Sequence, residues 1–298
     1  MITLIKKTNI NFVKNRLIFF TVSGLLILAS LISISTKGMN LGLDFTGGTL
    51  MQVHFSKPVT INQLRKALSV EKIDANIQTF ADGEAFQIKV KGKEENVNKV
   101  ANLITKACKE NLPDNTFTED KRDFVGPVVG HDLAKKGMFA IILSLCAIII
   151  YIAFRFSNPL WGTAGIAALA HDVLITAGLM SVTGREVGLV ELAAFLTLVG
   201  YSINNTIVIF DRMRETLHTF PKMDFGELVD LSINETMSRT IITSLTVVLV
   251  TLILFLFGGT VINNFALIML FGTVIGTYSS ICISSQLVYQ WVGAHKRR

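Results

Sequence analysis

Long apolar stretches separated by short polar segments make up most of the chain. A helix that crosses a bilayer needs roughly 20 such residues. The segment between Arg239 and Lys296 contains no Asp, Glu, Lys or Arg, and it is long enough for two helices, which FGGTVINN at 257–264 would separate. The pattern predicts six transmembrane helices, at 17–36, 137–155, 159–182, 187–210, 240–258 and 265–290.

One long polar interval, residues 37–136, lies between the first two of these helices. Its apolar residues alternate along 48–55, as on a strand, and then recur at helical spacing along 60–69. The same reasoning predicts two strands around an Asp82-Gly83 turn within 75–92, a helix at 93–110 and a last strand at 116–125. The order β-α-β-β-α-β is typical of a ferredoxin-like α/β sandwich.

Composition supports an integral membrane protein. Half of the 298 residues are hydrophobic and only 17% are charged, with a mean hydropathy of +0.52. This balance is unusual for a soluble domain. Three cysteines, Cys108, Cys146 and Cys282, form no disulfide or metal-binding pattern. Because the sequence has no serine elbow, nucleotide loop or zinc motif, we expect no enzyme activity, no metal and no cofactor.

The distribution of Lys and Arg sets the expected orientation. Basic residues precede the first helix and follow the second, fourth and sixth, whereas the short loops on the other side carry only Arg185. The N-terminal segment 1–16, the loop 211–239 and the C-terminal segment 291–298 are therefore predicted to be cytoplasmic. The domain at 37–136 is predicted to be periplasmic, and the first helix to be an uncleaved anchor. The net charge of +6 is explained by this anchoring and requires no nucleic-acid partner.

The third predicted helix contains an ionisable pair, His171 and Asp172, within IAALAHDVLITAG. A carboxylate that faces lipid at mid-membrane is costly. The small residues around it would let neighbouring helices approach closely. We therefore expect Asp172 to face the bundle interior and to exchange a proton there; the alternative is a hydrogen-bonded structural aspartate. Since His171 points about 100° away on the helix, a supporting or packing role is expected for it.

The fourth predicted helix supplies the other candidate polar groups. Asn204 and Asn205, with Gly200 and Thr206 beside them, are the nearest candidates to approach Asp172 from an antiparallel helix. Two acidic residues lie towards the ends of this helix. Glu191 either reaches the outer interface or forms an outer proton port, and Asp211 is expected to pair with Arg214 or Arg239. In the sixth helix, Gly272, Gly276 and Ser280 predict a helix-helix seam.

Several motifs resemble those of the SecD/SecF family of protein-export membrane proteins, which is part of the RND-like superfamily. LGLDFTGGT at 41–49 carries Gly42, Asp44, Gly47 and Gly48, and FVGPVVG at 124–130 carries Gly126 and Pro127. AHDV, GYSINNTIVIFDRMRE, NETMSRTIITS and FGG match further blocks in family order. The single compact outer domain is similar to the SecF type. The family commonly has Asn-Asp at 204–205, where this chain has Asn-Asn.

The resemblance implies a SecF-type subunit in the bacterial inner membrane, with no enzyme activity of its own. Such a subunit would pair with a SecD-like half and work with the SecYEG channel, with YajC as a further candidate partner, on unfolded polypeptide within membrane lipid. It would use the proton-motive force, with Asp172, Asn204, Asn205 and Arg212 as the candidate proton-relay residues. The alternatives are a scaffold that conducts no protons, or half of an RND-type exporter of lipids or drugs.

Overall fold

The computed structural model describes residues 8–80, 84–91, 97–113, 115–155 and 159–296. Its elements follow in chain order. They are α1 (Arg16–Lys37), β1 (Asn40–Leu41), α2 (Leu43–Thr46), β2 (Gly48–Phe55), α3 (Ile61–Val70), β3 (Ala75–Phe80), β4 (Ala85–Lys91), α4 (Val97–Asn111), β5 (Phe117–Val125), α5 (Pro127–Arg155), α6 (Pro159–Thr183), β6 (Glu186–Val187), α7 (Leu189–Thr219), α8 (Phe225–Phe257), α9 (Gly259–Ser279), a π-helical turn (Ser280–Ser284) and α10 (Ser285–Lys296).

Among the described residues, six helices are long and apolar enough to cross a membrane. They are α1, α5, α6, α7, α8 and the continuous run from α9 through the π-helical turn into α10. Together with the small α/β domain between α1 and α5, they confirm the predicted fold class. The Gly258 break between α8 and α9 falls in the FGG segment, as expected.

The α/β domain between α1 and α5 is called the outer domain below. It contains a four-stranded antiparallel sheet in the order β3-β4-β2-β5, which is the arrangement of a ferredoxin-like sandwich. Strand β2 lies at the centre and pairs Met51 with Ile88 of β4. One sheet face and helices α3 and α4 enclose a core that includes Phe55, Phe86, Leu64 and Ile104. A reciprocal hydrogen-bonded cap between Thr60 and Gln63 begins α3. The predicted Asp82-Gly83 turn lies outside the described residues.

Strand β5 forms one edge of the sheet and is rich in charge. The Arg122 guanidinium donates to both carboxylate oxygens of Glu119, at 2.5 and 2.6 Å. This pairing holds the pKa of the Glu119 carboxyl below its usual value. Charged side chains on an edge strand oppose pairing with a strand from another molecule.

Most of the predicted cytoplasmic loop 211–239 is helical. Helix α7 continues to Thr219 and α8 already begins at Phe225, where the Asp224 carboxylate accepts from the Gly226 amide at 2.8 Å. Hydropathy marks where lipid contact ends, but these helices continue beyond it because their inner faces stay buried, at Met213 of α7 and at Leu228 of α8.

The helix after the outer domain also begins earlier than predicted. Helix α5 starts at Pro127, whereas the apolar pattern predicted 137. Proline is favoured at the first helical position because the amide it lacks would have no partner there. The N-terminal part of α5 is polar, so hydropathy gave no signal for it.

Helix α1 touches the bundle through a narrow seam. Its buried residues are all serines, Ser23, Ser30 and Ser33, and its apolar residues mostly face outward. Ser33 forms a 2.9 Å hydrogen bond with Ser181 of α6. A Cβ atom on Gly178 of α6 would lie 2.3 Å from the Ser30 Cβ, so glycine permits this close approach.

Gly178→Ala should force α1 away from α6 and lower the stability of the protein. Overpacking typically costs about 1–3 kcal/mol, so we expect a lower thermal midpoint in detergent. Gly24→Ala on α1 is the matched control, because no described atom lies within 4 Å of a Cβ added there. Equal midpoints for the two variants would contradict this seam.

Cys108 should resist alkylation until the outer domain unfolds. Its side chain is fully buried, and burial raises the pKa of the thiol to about 12, whereas the reactive species is the thiolate. Maleimide labelling at mildly alkaline pH, read by mass spectrometry of the Cys108 peptide, should become fast only in denaturant. Ser69→Cys, at an exposed position of α3, supplies the control and should react at once. Rapid labelling of native Cys108 would contradict the described core.

Candidate functional site

Asp172 lies near the middle of the 25-residue helix α6 and is only 1% exposed. Its Oδ2 accepts hydrogen bonds from Ser202 of α7 at 2.5 Å and from Ser279 of α9 at 2.8 Å. Its Oδ1 lies 2.8 Å from Nδ1 of His171. The carboxyl group therefore faces the bundle interior, where three helices supply its partners. Such pairing offsets the cost of removing a carboxylate from water.

His171 is a direct partner of Asp172, although the two side chains leave the helix in different directions. The imidazole turns so that Nδ1 faces Asp172 while Nε2 lies 3.0 Å from the Ser23 hydroxyl of α1. The ring is also buried, with 4% exposed. The supporting role expected from the sequence thus has a specific geometry, in which His171 joins Asp172 to α1.

The hydrogen bonds continue from Ser23 to Tyr278. The Ser23 hydroxyl lies 3.1 Å from the Tyr278 hydroxyl, which donates to the Phe19 carbonyl at 3.0 Å. These hydrogen bonds therefore run from α6 to α1, from α1 to α9, and from α9 back to α1. We call Asp172, His171, Ser23 and Tyr278 the polar chain.

A π-helical turn at Ser280–Ser284 follows immediately on Ser279. The Ser285 hydroxyl donates to the Ser280 carbonyl five residues back, at 2.9 Å. Turns of this kind are rare and often mark functional sites. On the preceding turn, Gly276 packs against Ser202. A Cβ atom added to Gly276 would lie 3.1 Å from the Ser202 side chain. The seam predicted from small residues is therefore a contact with α7 of the same chain.

Sequence reasoning missed Ser23, Ser202, Ser279 and Tyr278 as members of this site. The run SSICISSQ at 279–286 was a signal, because hydroxyl groups in a bilayer need partners and these are fully buried. The spacing of Gly272, Gly276 and Ser280 alone indicates only a packing stripe.

Asn204 and Asn205, the expected neighbours of Asp172, are not among its hydrogen-bond partners in the described residues. Asn204 is exposed. Asn205 is buried, and its amide donates to the Ser244 hydroxyl of α8 at 3.4 Å. Ser202 takes the expected place, because it lies three residues before Asn205 on α7. A helix turns by about 100° per residue, so one polar run points in several directions.

The two other predicted positions of α7 differ in burial. Thr206 is buried and hydrogen-bonds the Ser280 hydroxyl at 3.0 Å, next to the site. Gly200 is exposed, with no described atom within 4 Å of an added Cβ, so it makes no close packing contact. The prediction of a supporting or packing position thus fits the geometry of Thr206 and not that of Gly200.

The charged ends of α7 are held by local pairs. Arg212 contacts Glu215 at 2.6 Å and Glu235 of α8 at 2.7 Å through its guanidinium. Asp211 pairs with Arg155 of α5 at 2.6 Å, and not with the predicted arginines. At the outer end, Glu191 accepts the Gly188 amide at 2.8 Å and caps the helix. The structure therefore places Arg212 away from Asp172.

The polar chain contains two side chains of a kind that can exchange protons. Asp172 and His171 both change charge on gaining or losing a proton, and hydroxyl groups surround them that can donate or accept. Within the described residues, no group of three His, Cys, Asp or Glu side chains is arranged to hold a metal ion.

The glycine motif at 41–49 joins the outer domain to α7. Asp44 accepts the Leu189 amide at 2.9 Å, in the first turn of α7, and the Gly42 amide donates to the Val187 carbonyl at 2.9 Å. Gly47 and Gly48 have φ values of +74° and +147°, which favour glycine. The second motif meets the first, since a Cβ on Gly130 of α5 would lie 3.0 Å from the Gly47 nitrogen.

Predicted motif residues Gly126 and Pro127 mark the passage from β5 into α5. The Gly126 carbonyl oxygen accepts a hydrogen bond from the Gly130 amide at 2.9 Å, and Pro127 is the first residue of α5. This helical turn sets the position from which Gly130 contacts the first motif.

A partly buried ion pair strengthens this junction. Glu186 of β6, with 6% of its side chain exposed, lies 3.0 Å from the Lys89 ammonium of β4. Asn76 of β3 donates to the same carboxylate at 3.1 Å. The sheet is therefore fixed to the outer end of the helical bundle by both backbone and side-chain contacts.

Sequence profiles of two families match the chain. One, described as "Protein export membrane protein SecD/SecF, C-terminal", matches residues 104–294. The other, "SecD/SecF GG Motif", matches residues 32–59, which include the glycine motif.

Curated relatives match over nearly the whole chain. "Protein translocase subunit SecF" of Calditerrivibrio nitroreducens is 42% identical over 294 residues, covering 97% of this chain and 96% of that protein. The protein of the same name from Endomicrobium trichonymphae is 38% identical over 287 residues, covering 96% and 92%.

A solved structure is similar in fold. The crystal structure of SecDF, described as a translocon-associated membrane protein from Thermus thermophilus, superposes with a TM-score of 0.84 at 34% identity. The match covers 98% of this chain but 40% of that longer chain.

Gly48→Ala should disrupt the junction between the outer domain and the bundle. A Cβ at Gly48 would lie 2.3 Å from the Val90 carbonyl oxygen, and φ is unfavourable for alanine. We expect faster proteolysis of the outer domain in the purified protein. Gly126→Ala, whose added Cβ would meet only a ring carbon of Phe124 at 3.6 Å among described atoms, is the control. Equal proteolysis of both variants would argue against this role of Gly48.

Proposed function

Because the chain belongs to the SecD/SecF family of protein export membrane proteins, as a SecF-type member, we propose that it is the proton-coupled half of an export complex. In this proposal it pairs with a SecD-like subunit, and the two act on polypeptides that emerge from the SecYEG channel. The complex uses the proton-motive force in late export, and YajC is a further candidate partner.

The observation that carries the proposal is the buried Asp172 carboxyl group. It lies at mid-helix where α6, α7 and α9 meet, and each neighbour offers a hydroxyl group that donates to it. When Asp172 gains a proton, it no longer needs two donors and its charge is lost. The balance of contacts among the three helices then changes, and a group that alters charge in this way can bias a bundle between two arrangements.

The connection from this site to the outer domain supports a coupling role. Helix α1 contacts His171 through Ser23 and leads at its outer end directly to the glycine motif and strand β2. Helix α7 carries Ser202 and begins at the Asp44 contact. Two helices thus extend from the site to the domain that would meet the exported polypeptide.

We further propose that the protein lies in the bacterial inner membrane with both termini in the cytoplasm and the α/β domain in the periplasm. The arginines at Arg155 and Arg212 flank the bundle at the end opposite to the domain, as the positive-inside rule requires of cytoplasmic ends. Arg212 in this proposal holds the cytoplasmic ends of α7 and α8 together and does not carry protons. Asn204 and Asn205 likewise remain outside the relay.

Asp172→Asn should abolish the part of export that depends on the proton gradient. Asparagine keeps the size of the side chain and can still hydrogen-bond the serines, but it cannot bind and release a proton. The measurement is translocation of a secreted protein into inverted membrane vesicles with and without a proton gradient, at equal amounts of the subunit and of its co-purified SecD-like partner.

Glu227→Gln, which removes one exposed carboxylate from the first turn of α8, is the charge-matched control and should leave export unchanged. Normal gradient-dependent export by Asp172→Asn would refute proton coupling and favour a scaffold that conducts no protons. Loss of lipid or drug efflux, with export intact, would instead favour an RND-type exporter half.

A further inference from the structure

The hydrogen atoms of the polar chain can be counted, because each hydroxyl group has only one to donate. The Tyr278 hydroxyl uses its hydrogen on the Phe19 carbonyl, at 3.0 Å. The 3.1 Å contact between Ser23 and Tyr278 then needs the Ser23 hydrogen. Ser23 in turn can only accept from His171, so the 3.0 Å contact requires a hydrogen on Nε2.

The remaining contact, 2.8 Å between Nδ1 of His171 and Oδ1 of Asp172, needs a hydrogen of its own. Because Nε2 is already protonated, this hydrogen is a second proton on the pair. Either Nδ1 of His171 or Oδ1 of Asp172 carries it. All contacts of the polar chain are therefore satisfied together only when the His171–Asp172 pair holds two protons. In that state the pair has no net charge, which suits its burial in the membrane.

Loss of one proton must break one contact. The remaining proton moves to Nδ1, where it serves the Asp172 carboxylate, and Nε2 becomes an acceptor. Ser23 then donates to Nε2 and no longer to Tyr278. Tyr278 must leave either Ser23 or the Phe19 carbonyl without a hydrogen, so the contact between α1 and α9 is weakened by one hydrogen bond.

We propose that Ser23 and Tyr278 are positioning residues that set how tightly the His171–Asp172 pair holds its second proton. Through them, the number of protons on the pair sets whether Tyr278 of α9 makes two hydrogen bonds with α1, or one, at this level of the membrane. The inference rests on the proposed function and adds to it the step by which proton release reaches α1. The released proton leaves to water; no other reactant is needed.

Few other ionisable groups face this pair among the described residues. Helix α1 carries no charged residue between Arg16 and Lys37, and α7 carries none between Glu191 and Asp211. Helix α8 has none after Arg239, and on the α9 side the ionisable groups are Tyr278 itself and the nearby Cys282 thiol. Between those positions, the described parts of these helices supply no Asp, Glu, Lys or Arg side chain to the pair.

The test is the pH dependence of gradient-driven export in vesicles that contain the full complex. Tyr278→Phe frees the Ser23 hydrogen for Nε2, so proton release no longer breaks a contact. Ser23→Ala removes the acceptor that Nε2–H needs in the loaded state. Both variants should hold the second proton less tightly, so the pH at which export falls on the alkaline side should move to lower values.

The expected shift is about 0.5–1 pH unit, since a neutral hydrogen bond contributes about 1 kcal/mol and one unit corresponds to 1.36 kcal/mol. The double variant should shift little more than either single one, because both changes act on the same chain of hydrogen bonds.

Two controls separate this role from a merely structural one. Tyr201→Phe removes a tyrosine hydroxyl that is buried in α7 without a partner among the described residues. Ser33→Ala removes an α1–α6 hydrogen bond outside the polar chain. Neither should move the pH profile.

An unmoved or alkaline-shifted profile for Tyr278→Phe and Ser23→Ala would overturn the inference, and so would a uniform loss of export at every pH. If Asp172→Asn abolishes gradient-dependent export while these profiles stay unmoved, the proposed function stands and only the positioning role fails. If Asp172→Asn has no effect, the proposed function itself fails.

Discussion

A carboxyl group in the middle of a bilayer must find its hydrogen-bond partners within the protein, because lipid offers none. In this chain that constraint falls on Asp172. It is met by bringing α6, α7 and α9 close enough for serine hydroxyls on two of them to reach one carboxylate. Gly276 allows the approach of α9, and the π-helical turn that follows it begins where Ser279 meets Asp172. The packing of the central helices is therefore inseparable from the satisfaction of one polar group.

A second set of polar contacts fixes the outer domain to the bundle. The glycine motif supplies backbone that no other residue could adopt at Gly48, and it presents Asp44 to the free amides of α7. Glu186 and Lys89 form an ion pair in which the carboxylate is buried, so removing Lys89 would leave that carboxylate with fewer partners. The same helices that surround Asp172 thus end at contacts that hold the domain.

Much of this arrangement could be predicted from the sequence. Hydropathy is a strong signal over 20 residues, so the transmembrane helices and the polar domain between the first two of them were clear. Within that domain, the spacing of apolar residues changes between that of a strand and that of a helix, and this change predicted the ferredoxin-like order. The ends of α5, α7 and α8 were missed because helices continue past the lipid on their own buried faces.

The partners of Asp172 were missed for a different reason. Which face of a helix meets which neighbour depends on rotation, so Asn204 and Asn205 looked suitable by depth while Ser202 had the right direction. The link through His171 depends on a side-chain torsion that spacing does not reveal.

The buried residues of α1 are all serines, and this has a mechanical consequence. Side chains this short extend less far into a neighbouring helix than long ones do, so an axial shift of α1 would displace few side-chain atoms. An α-helix resists extension in that direction, because its backbone hydrogen bonds run along the axis and lengthen when it is stretched. A small axial displacement of α1 at the level of Ser23 would therefore be transmitted along the helix to Gly38, the residue that follows its last turn.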